Sequence, residues 1–570
     1  MPTISVNRRD LESLLGRPAP TDELSAWLSW VKGELKDEEE STGELRIELQ
    51  DSNRPDLWSC EGIARQIRAK LGGGVAAHSF FQQGARPVRK VIVSADVEGV
   101  RPYVSACTAV GYTVTDAGLA QLIQAQEKLA DIYGRKRRTV SIGLYRLAAI
   151  DFPVHYDLVK QDEARFIPLG LEGPLTAREI LAVHPKGVEY GGVLEGHERV
   201  PLLRDRTGRI LSMPPIINSR EIGEVQPGDR ELFVEVTGTD LPMVVLTLNI
   251  LAVNLADRGA TIEPVEVVYP YDTPLGKSVV TPQDFGKTRS IPLKTVETAL
   301  GQSLEAGEIV DALTSYGCRA KAGGESVLVK LPSYRNDLMH AVDVVEDVAI
   351  SRGYADFAPE MPSHFTVGGL TRLEELADRV RDLMIGMGFQ EMMSNIMASR
   401  QELIDRMRIE GTAWDRLVEV DNVMSLSYAC LRPSVIPSLL RVEAASSRAF
   451  YPHHIFEVGE AAVTDPGADG GSRTVMLLGG LIAHPGSTFS GAHSCLDFLF
   501  YHLDQPYSLE PVAHPSYLDG RAGRIVAGGR TLGMIGELHP EVLERWEITM
   551  PSVVFEVELD KLLEREEKPG

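Results

Sequence analysis

The chain has 570 residues, a formal net charge of −23, 43% hydrophobic and 24% charged residues. That balance suits three or four packed domains and excludes a disordered or fibrous chain. The acidity excludes a protein that grips nucleic acid by its overall charge, because phosphate neutralisation supplies most of such affinity; a local basic patch or a more basic partner would have to do so. The start MPTISVNRRD has no secretory core, and no run approaches the roughly 20 apolar residues of a membrane span, so a cytoplasmic chain is expected. Cys60, Cys107, Cys318, Cys430 and Cys495 show no CxxC spacing; they read as reduced thiols, with neither a zinc site nor a disulfide framework.

Residues 1–77 form a first module. ELRIELQ alternates as a half-buried strand does. In DSNRPDLWSCEGIARQIRAKLGGG, Ser59 is placed to cap a helix with Ile63, Ile67 and Leu71 on one face and Gly72 to Gly74 as its end. Asn53, Arg54, Pro55 and Asp56 read locally as turn and capping residues.

Residues 85–275 read as a mixed α/β module. KVIVSADV and YVSACTAVGYTV are strands, and AGLAQLIQAQEKLADIYG is a helix with Leu119, Leu122, Ile123 and Gln126 along one side. Arg135, Lys136, Arg137 and Arg138 follow, as a solvated surface or, in so acidic a chain, a phosphate contact. The strand TVSIGLY comes next. Asn218 stands after the apolar PPII run; Glu235, Thr237, Thr239 and Asp240 lie at the end of LFVEV and in the turn beyond it. Such residues also serve turns, and TGTD is placed to cap the apolar helix LPMVVLTLNILAVNLAD. TPLGKSVV is not a phosphate-binding loop, because Tyr271 stands where the pattern needs glycine.

Residues 280–355 read as a small α/β module. LEAGEIVDALTSYGCRA is a helix stopped by Gly317, and VLVKLPSYR a strand. A helix from about His340 places Val342, Val345 and Ala349 on an apolar face and Asp343, Glu346 and Asp347 on the other, with Asp337 just before it. These acids suit a solvated face; drawn together, they repel unless a cation or a basic partner neutralises them, and hard oxygen ligands suit magnesium. After a Pro- and Gly-bearing linker, residues 366–566 open with a helix capped by Thr371 and Glu374. The strands FQEMMSNIM, HHIFEVGEAAV, TVMLLGGLIA, a hairpin around Gly528 and Gly529, and SVVFEVEL follow.

NRPDLWSCEGIAR, PPIINS, VTGTD and SYRNDLMHAVDVVEDVAISRGY, in this order, resemble the phenylalanyl-tRNA synthetase beta subunit, of the archaeal and eukaryotic cytosolic kind. The resemblance implies an α+β multidomain chain. Residues 1–77 help seat the domains, and 85–275 form an α/β editing module that hydrolyses tyrosine wrongly esterified to tRNA for phenylalanine. Residues 280–355 form a small α/β magnesium-contact module, and 366–566 an antiparallel-sheet, class II synthetase-like domain. Asn218, Glu235 and Thr237 are then expected in the editing pocket, positioning a water or the tyrosyl hydroxyl; with no Ser-His-Asp or Cys-His set in this module, a water attacks the ester. The family usually has an aspartate after the tyrosine of TVSIGLY, where Arg146 stands here. Arg135 to Arg138 become candidates for tRNA contact.

The resemblance also implies that Asp337, Asp343, Glu346 and Asp347 hold Mg2+ near an alpha subunit, in an alpha2beta2 heterotetramer that acts on tRNA(Phe). Phenylalanine and ATP are used through that subunit, and no membrane is involved. Class II synthetases bind ATP phosphates with an arginine in a motif like FRxE; here Ile455, Phe456, Glu457 and Val458 have no preceding arginine, so this domain is expected to be catalytically silent. The competing readings are a stand-alone aminoacyl-tRNA hydrolase, which should be more basic, and a non-enzymatic scaffold, which has no use for Asn218 and TGTD.

Overall fold

Alternation in Glu44–Leu49 buries Leu45, Ile47 and Leu49 and leaves Glu44 and Arg46 in solvent. In the computed structural model, which describes residues 2–50, 53–74, 78–81, 87–286, 288–409 and 417–563, this strand lies at the centre of an antiparallel sheet. Its order is β1 (Thr3–Asn7), β3 (Glu44–Leu49), β2 (Gly33–Glu39). The expected boundaries at 77, 85 and 566 fall outside the described residues. The chain divides into two compact units, Met1–Glu360 and Met361–Gly570.

In the first unit, helix α1 (Cys60–Arg68) starts at Ser59, whose hydroxyl accepts from the Gly62 N–H. Ile63 and Ile67 are buried, but Leu71, past the helix, is half exposed. The second layer is a ten-stranded mixed sheet. Its strands are β4 (Arg89–Val93), β5 (Tyr103–Val110), β6 (Val140–Arg146), β7 (Val154–Lys160), β8 (Arg199–Arg204), β9 (Ile210–Met213), β10 (Ile217–Asn218), β11 (Glu231–Gly238), β12 (Thr261–Val268) and β13 (Ser278–Thr281). The path runs β10-β9-β8-β7-β4-β12-β5-β11-β6, with β13 beside β12. Helix α2 (Asp116–Lys128) and the long helix α3 (Leu241–Asp257) share a core with one face of β11 and β6: Leu232, Val234, Val236, Ile142 and Leu144. Because it is enclosed, α3 is apolar around most of its circumference. Asp240 caps it, accepting from the Met243 N–H at 3.0 Å, as TGTD predicts. Gly276 closes a turn ahead of β13, so no helix follows the GKS run.

The first unit continues with a three-stranded sheet, β14 (Thr288–Pro292), β16 (Ser326–Lys330) and β15 (Arg319–Ala322) in that order, and helices α4 (Ala306–Ser315) and α5 (Ala341–Arg352). The buried stripe of α5 is Val344, Val345, Asp347, Val348 and Ala349. The spacing-based face needs correcting at two positions: Val342 is 59% exposed, and Asp347 is 4% exposed because an arginine waits for it in the interior.

In the second unit the strands are β17 (Gln390–Glu391), β18 (His453–Thr464), β19 (Ser472–Ala483), β20 (Ser508–Pro511), β21 (Tyr517–Ala527), β22 (Arg530–Leu538) and β23 (Ser552–Glu558). They form one sheet, ordered β17-β18-β19-β23-β22-β21-β20 and antiparallel except for β17 with β18. Helices α6 (Arg372–Gly386) and α7 (Phe489–His502) share its core. Thr371 caps α6 by accepting from the Glu374 N–H. The hairpin turns at Gly528 and Gly529, both with positive φ. FQEMMSNIM is not one strand: only Gln390–Glu391 and Met397–Ala398 are extended in ladders, because Ser394 between them turns in to Glu457. All five cysteines are free thiols, four of them buried. Among the described residues no helix is long and apolar enough to cross a membrane.

Candidate functional site

The two ends of this nine-strand path meet. Asn218 on β10 donates through Nδ2 to the Leu144 carbonyl on β6, and the Tyr145 hydroxyl reaches Ser212 Oγ on β9 at 2.7 Å. Between them lies a cavity of about 470 Å³, lined by Ser141, Leu144, Ser212, Asn218 and Glu235 and walled on one side by Leu119, Ile123 and Gln126 of α2.

Period two decides which side chains enter it. Thr237, Glu235 and Phe233 of β11 face Ser141, Gly143 and Tyr145 of β6 in register. Glu235 is 2% exposed. Its Oε1 accepts from the Tyr145 hydroxyl at 2.8 Å, and its Oε2 has no hydrogen-bond partner among the described residues. Burial pushes this carboxyl up to about 7, against the Tyr145 hydrogen bond and the charge of Arg101, which both favour the ionised form. The site therefore offers an orphaned acceptor between apolar walls.

Of the residues expected here, Asn218 and Glu235 line the cavity; Thr237 does not. It is 0% exposed, one layer below, held by Arg101 and Ser141. Thr239 accompanies the helix cap, its hydroxyl donating to the Arg138 carbonyl. Arg137 lines the cavity and holds the Pro215 and Ile216 carbonyls at 3.1 and 2.9 Å while stacking over Tyr190. Arg135, Lys136 and Arg138 are exposed beside it; Arg135, Lys136 and Arg137 are all left-handed, with φ of 50°, 54° and 63°. Arg146 leaves the site, donating to the Glu221 carbonyl. Arg101, Ser141, Tyr145 and Ser212 were not singled out from sequence; strand periodicity marks the face of Ser141 and Tyr145, but only register shows that this face meets Glu235.

The four acids of the α5 region do not converge. Arg335, 3% exposed, donates to Asp337 (Nε to Oδ1, 3.0 Å; Nη2 to Oδ2, 2.6 Å) and to Asp347 (Nη1 to Oδ2, 2.9 Å; Nη2 to Oδ1, 3.1 Å). Asp343 accepts from the Met339 and His340 N–H groups at the helix start, and Glu346 pairs with Lys32. Among the described residues no three His, Cys, Asp or Glu side chains gather as a metal ion requires. As arranged, the four acids do not form a magnesium site: Arg335 occupies the oxygens of both buried carboxylates, and the other two have separate partners. The first module is tied in nearby. Arg54 forks onto Asp56 and reaches Gln66, which donates to the Tyr316 carbonyl, while Arg65 spans to Asn254 and Asp257 on α3.

In the second unit, Glu457 does meet an arginine, supplied from elsewhere in the chain. Arg432 is 2% exposed and donates to Glu457 (2.7 Å), the Glu460 carbonyl, Ser394 and Ser438. Its charge is enclosed among internal partners.

Two family models match this chain: one described as "tRNA synthetase B5 domain" over residues 289–354, and one described as "Phenylalanyl tRNA synthetase beta chain CLM domain" over residues 358–559. A Treponema pallidum relative named phenylalanine–tRNA ligase beta subunit is 39% identical over 526 residues, 91% of this chain and 87% of the relative. A Borrelia hermsii relative of the same name is 37% identical over 567 residues, 99% of this chain and 100% of the relative. Among solved structures, an N-terminal fragment of the phenylalanyl-tRNA synthetase beta subunit from Pyrococcus horikoshii is similar with a TM-score of 0.59 at 36% identity, over 62% of this chain and 100% of the fragment. Fold and matched domains define an aminoacyl-tRNA synthetase chain. Within that class, the chain belongs to the phenylalanine–tRNA ligase beta subunit family.

Proposed function

We propose that this chain is the non-aminoacylating, editing-competent half of its ligase: it pairs with an alpha subunit that attaches phenylalanine to tRNA(Phe) with ATP, in a cytoplasmic alpha2beta2 assembly, and hydrolyses tyrosyl-tRNA(Phe) in the cavity beside Glu235. Tyrosine differs from phenylalanine by one hydroxyl, and an apolar synthetic pocket rejects an added hydroxyl only by about 10²-fold. The observation that carries the reading is the unpartnered, buried Oε2 of Glu235. A tyrosyl hydroxyl satisfies it; a phenylalanyl ring leaves it desolvated and empty. Asn218, whose amide nitrogen is committed to Leu144, has its oxygen left to hold the attacking water. The exposed Arg135, Lys136 and Arg138 flank the cavity and suit tRNA phosphates.

The enclosure of Arg432 favours a silent synthetase-like domain in the second unit, since no cation clamp remains at Glu457 for a triphosphate. Expression with and without a candidate alpha chain tests the assignment. Stable co-purification, with phenylalanylation only in the pair and deacylation lost in Asn218→Ala and Glu235→Ala, is expected; wild-type deacylation in both variants refutes the placement of the site.

A further inference from the structure

Arg101 is 1% exposed, and no carboxylate among the described residues hydrogen-bonds to it. Its five N–H groups go to neutral oxygens: Nε to Thr237 Oγ1 (3.0 Å), Nη1 to the Arg137 and Arg138 carbonyls (3.2 Å each), and Nη2 to the Thr237 carbonyl (2.7 Å) and Ser141 Oγ (3.1 Å). A guanidinium only donates, so both hydroxyl oxygens accept from it. Ser141 Oγ and Thr237 Oγ1 are 2.9 Å apart and share one hydrogen. Two hydroxyl protons enter the set and one is shared, so one remains. Thr237 is fully enclosed, and among the described residues its hydroxyl has no partner beyond Arg101 and Ser141. A leftover proton there would be buried and unsatisfied, which costs about 1–3 kcal/mol. Thr237 therefore donates to Ser141, and Ser141, which lines the cavity, directs its own proton into it.

We infer that Ser141 is a catalytic hydrogen-bond donor to the ester carbonyl of tyrosyl-tRNA, aimed by Thr237 and Arg101 as positioning residues; the inference rests on the editing reading above. Its oxygen already accepts from two donors, and among the described residues no carboxylate or imidazole hydrogen-bonds to it, so it polarises the carbonyl rather than attacking it. Register supplies the distance. Ser141 faces Thr237, and Gly143 faces Glu235, two residues along the same strand, roughly 6.6 Å apart. Ser141 and Glu235 both line the cavity, so a phenol seated at Glu235 directs its ester along the strand toward Ser141. In the reaction a water oxygen bonds to the carbonyl carbon, the oxyanion takes the Ser141 hydrogen bond, and the bond to the terminal ribose oxygen breaks. One water proton ends on that ribose oxygen and the other leaves to solvent as tyrosine departs as its carboxylate.

The test uses the full chain co-purified with its alpha subunit and single-turnover deacylation of tyrosyl-tRNA(Phe). Ser141→Ala is expected to slow the chemical step by about 100-fold while KM changes by less than about twofold, the pattern of a donor that acts in the transition state. Ser141→Thr should recover most of that loss, and Thr237→Val should lower the same rate constant with KM held. A folded Ser141→Ala protein that deacylates within about twofold of wild type overturns the inference. Should that variant fail to fold, a folded Ser141→Thr protein below about one-hundredth of the wild-type rate overturns it instead. A wild-type rate equal to the buffer control overturns the editing reading itself and this inference with it, and is told apart because it needs no variant.

Discussion

Gly143 and Glu235 face each other across β6 and β11, and nothing larger fits at 143: a Cβ there would lie 2.4 Å from Glu235 Oε1 and 2.1 Å from the Tyr145 hydroxyl. The missing side chain is what lets Tyr145 fold over the carboxyl. Gly143→Ala should separate the pair, cost about 1–3 kcal/mol by overpacking, and lower deacylation of tyrosyl-tRNA(Phe). Urea unfolding and the deacylation rate check both effects, and a variant equal to wild type in each contradicts the assigned packing.

Glu235 makes stability fall as pH rises. Its carboxyl is pushed up to about 7 by burial, whereas an unfolded glutamate titrates near 4.3. Between those values the folded chain binds the extra proton, so the stability contributed by the neutral form is complete below about pH 4 and lost as pH passes 7. Glu235→Gln, which cannot ionise, should therefore gain on wild type between pH 5 and pH 8, by up to about 3 kcal/mol. Melting curves of both proteins at the two pH values measure the difference; a constant gap contradicts it.

Arg335 bridges the buried Asp337 and Asp347. Arg335→Met leaves Asp337 and Asp347 buried without their hydrogen-bonded counter-charge, and a loss of about 3–5 kcal/mol is expected in the first unit. Burial by itself raises the Asp337 carboxyl, but Arg335 overrides it and holds the group down to about 2. The stability Asp337 contributes is thus present above about pH 4 and lost as pH falls toward 2. Chelating divalent ions should leave the wild-type melting temperature unchanged, and a drop of several degrees with EDTA contradicts this arrangement.

The exposed basic residues should act through phosphate charge. Replacing Arg135, Lys136 and Arg138 together by alanine should raise KM for tyrosyl-tRNA and flatten its salt dependence by about two to three units of log–log slope. Arg137 is kept in that variant because it braces the Pro215 and Ile216 carbonyls. An unchanged salt slope removes the loop from the tRNA path.

The legible parts of this chain are the ones governed by local rules. Caps at Ser59, Asp240 and Thr371, the alternating strands and the Gly528–Gly529 hairpin follow from neighbours within a few residues. Asn218 and Glu235 were found through recurring motifs, and both enter the cavity. What stayed hidden depends on pairing between distant strands. The role of Tyr145 requires β6 to lie beside β11 and opposite β9, and Arg101, from ahead of β5, reaches Thr237 only through the sheet order. Asp347 was misplaced for the same reason: helical spacing sees an acid on a face, while its partner Arg335 arrives from outside the helix. No arginine stands directly before Phe456 in the sequence, yet Arg432 reaches Glu457 from another segment.

The central claim is that the cavity beside Glu235 hydrolyses tyrosyl-tRNA(Phe), and the most direct measurement is the ratio of deacylation rates for tyrosyl- and phenylalanyl-tRNA(Phe) by the alpha–beta pair. Wild type should clear the tyrosyl ester far faster, and Glu235→Ala should bring the two rates together. A ratio that Glu235→Ala leaves unchanged would contradict the account.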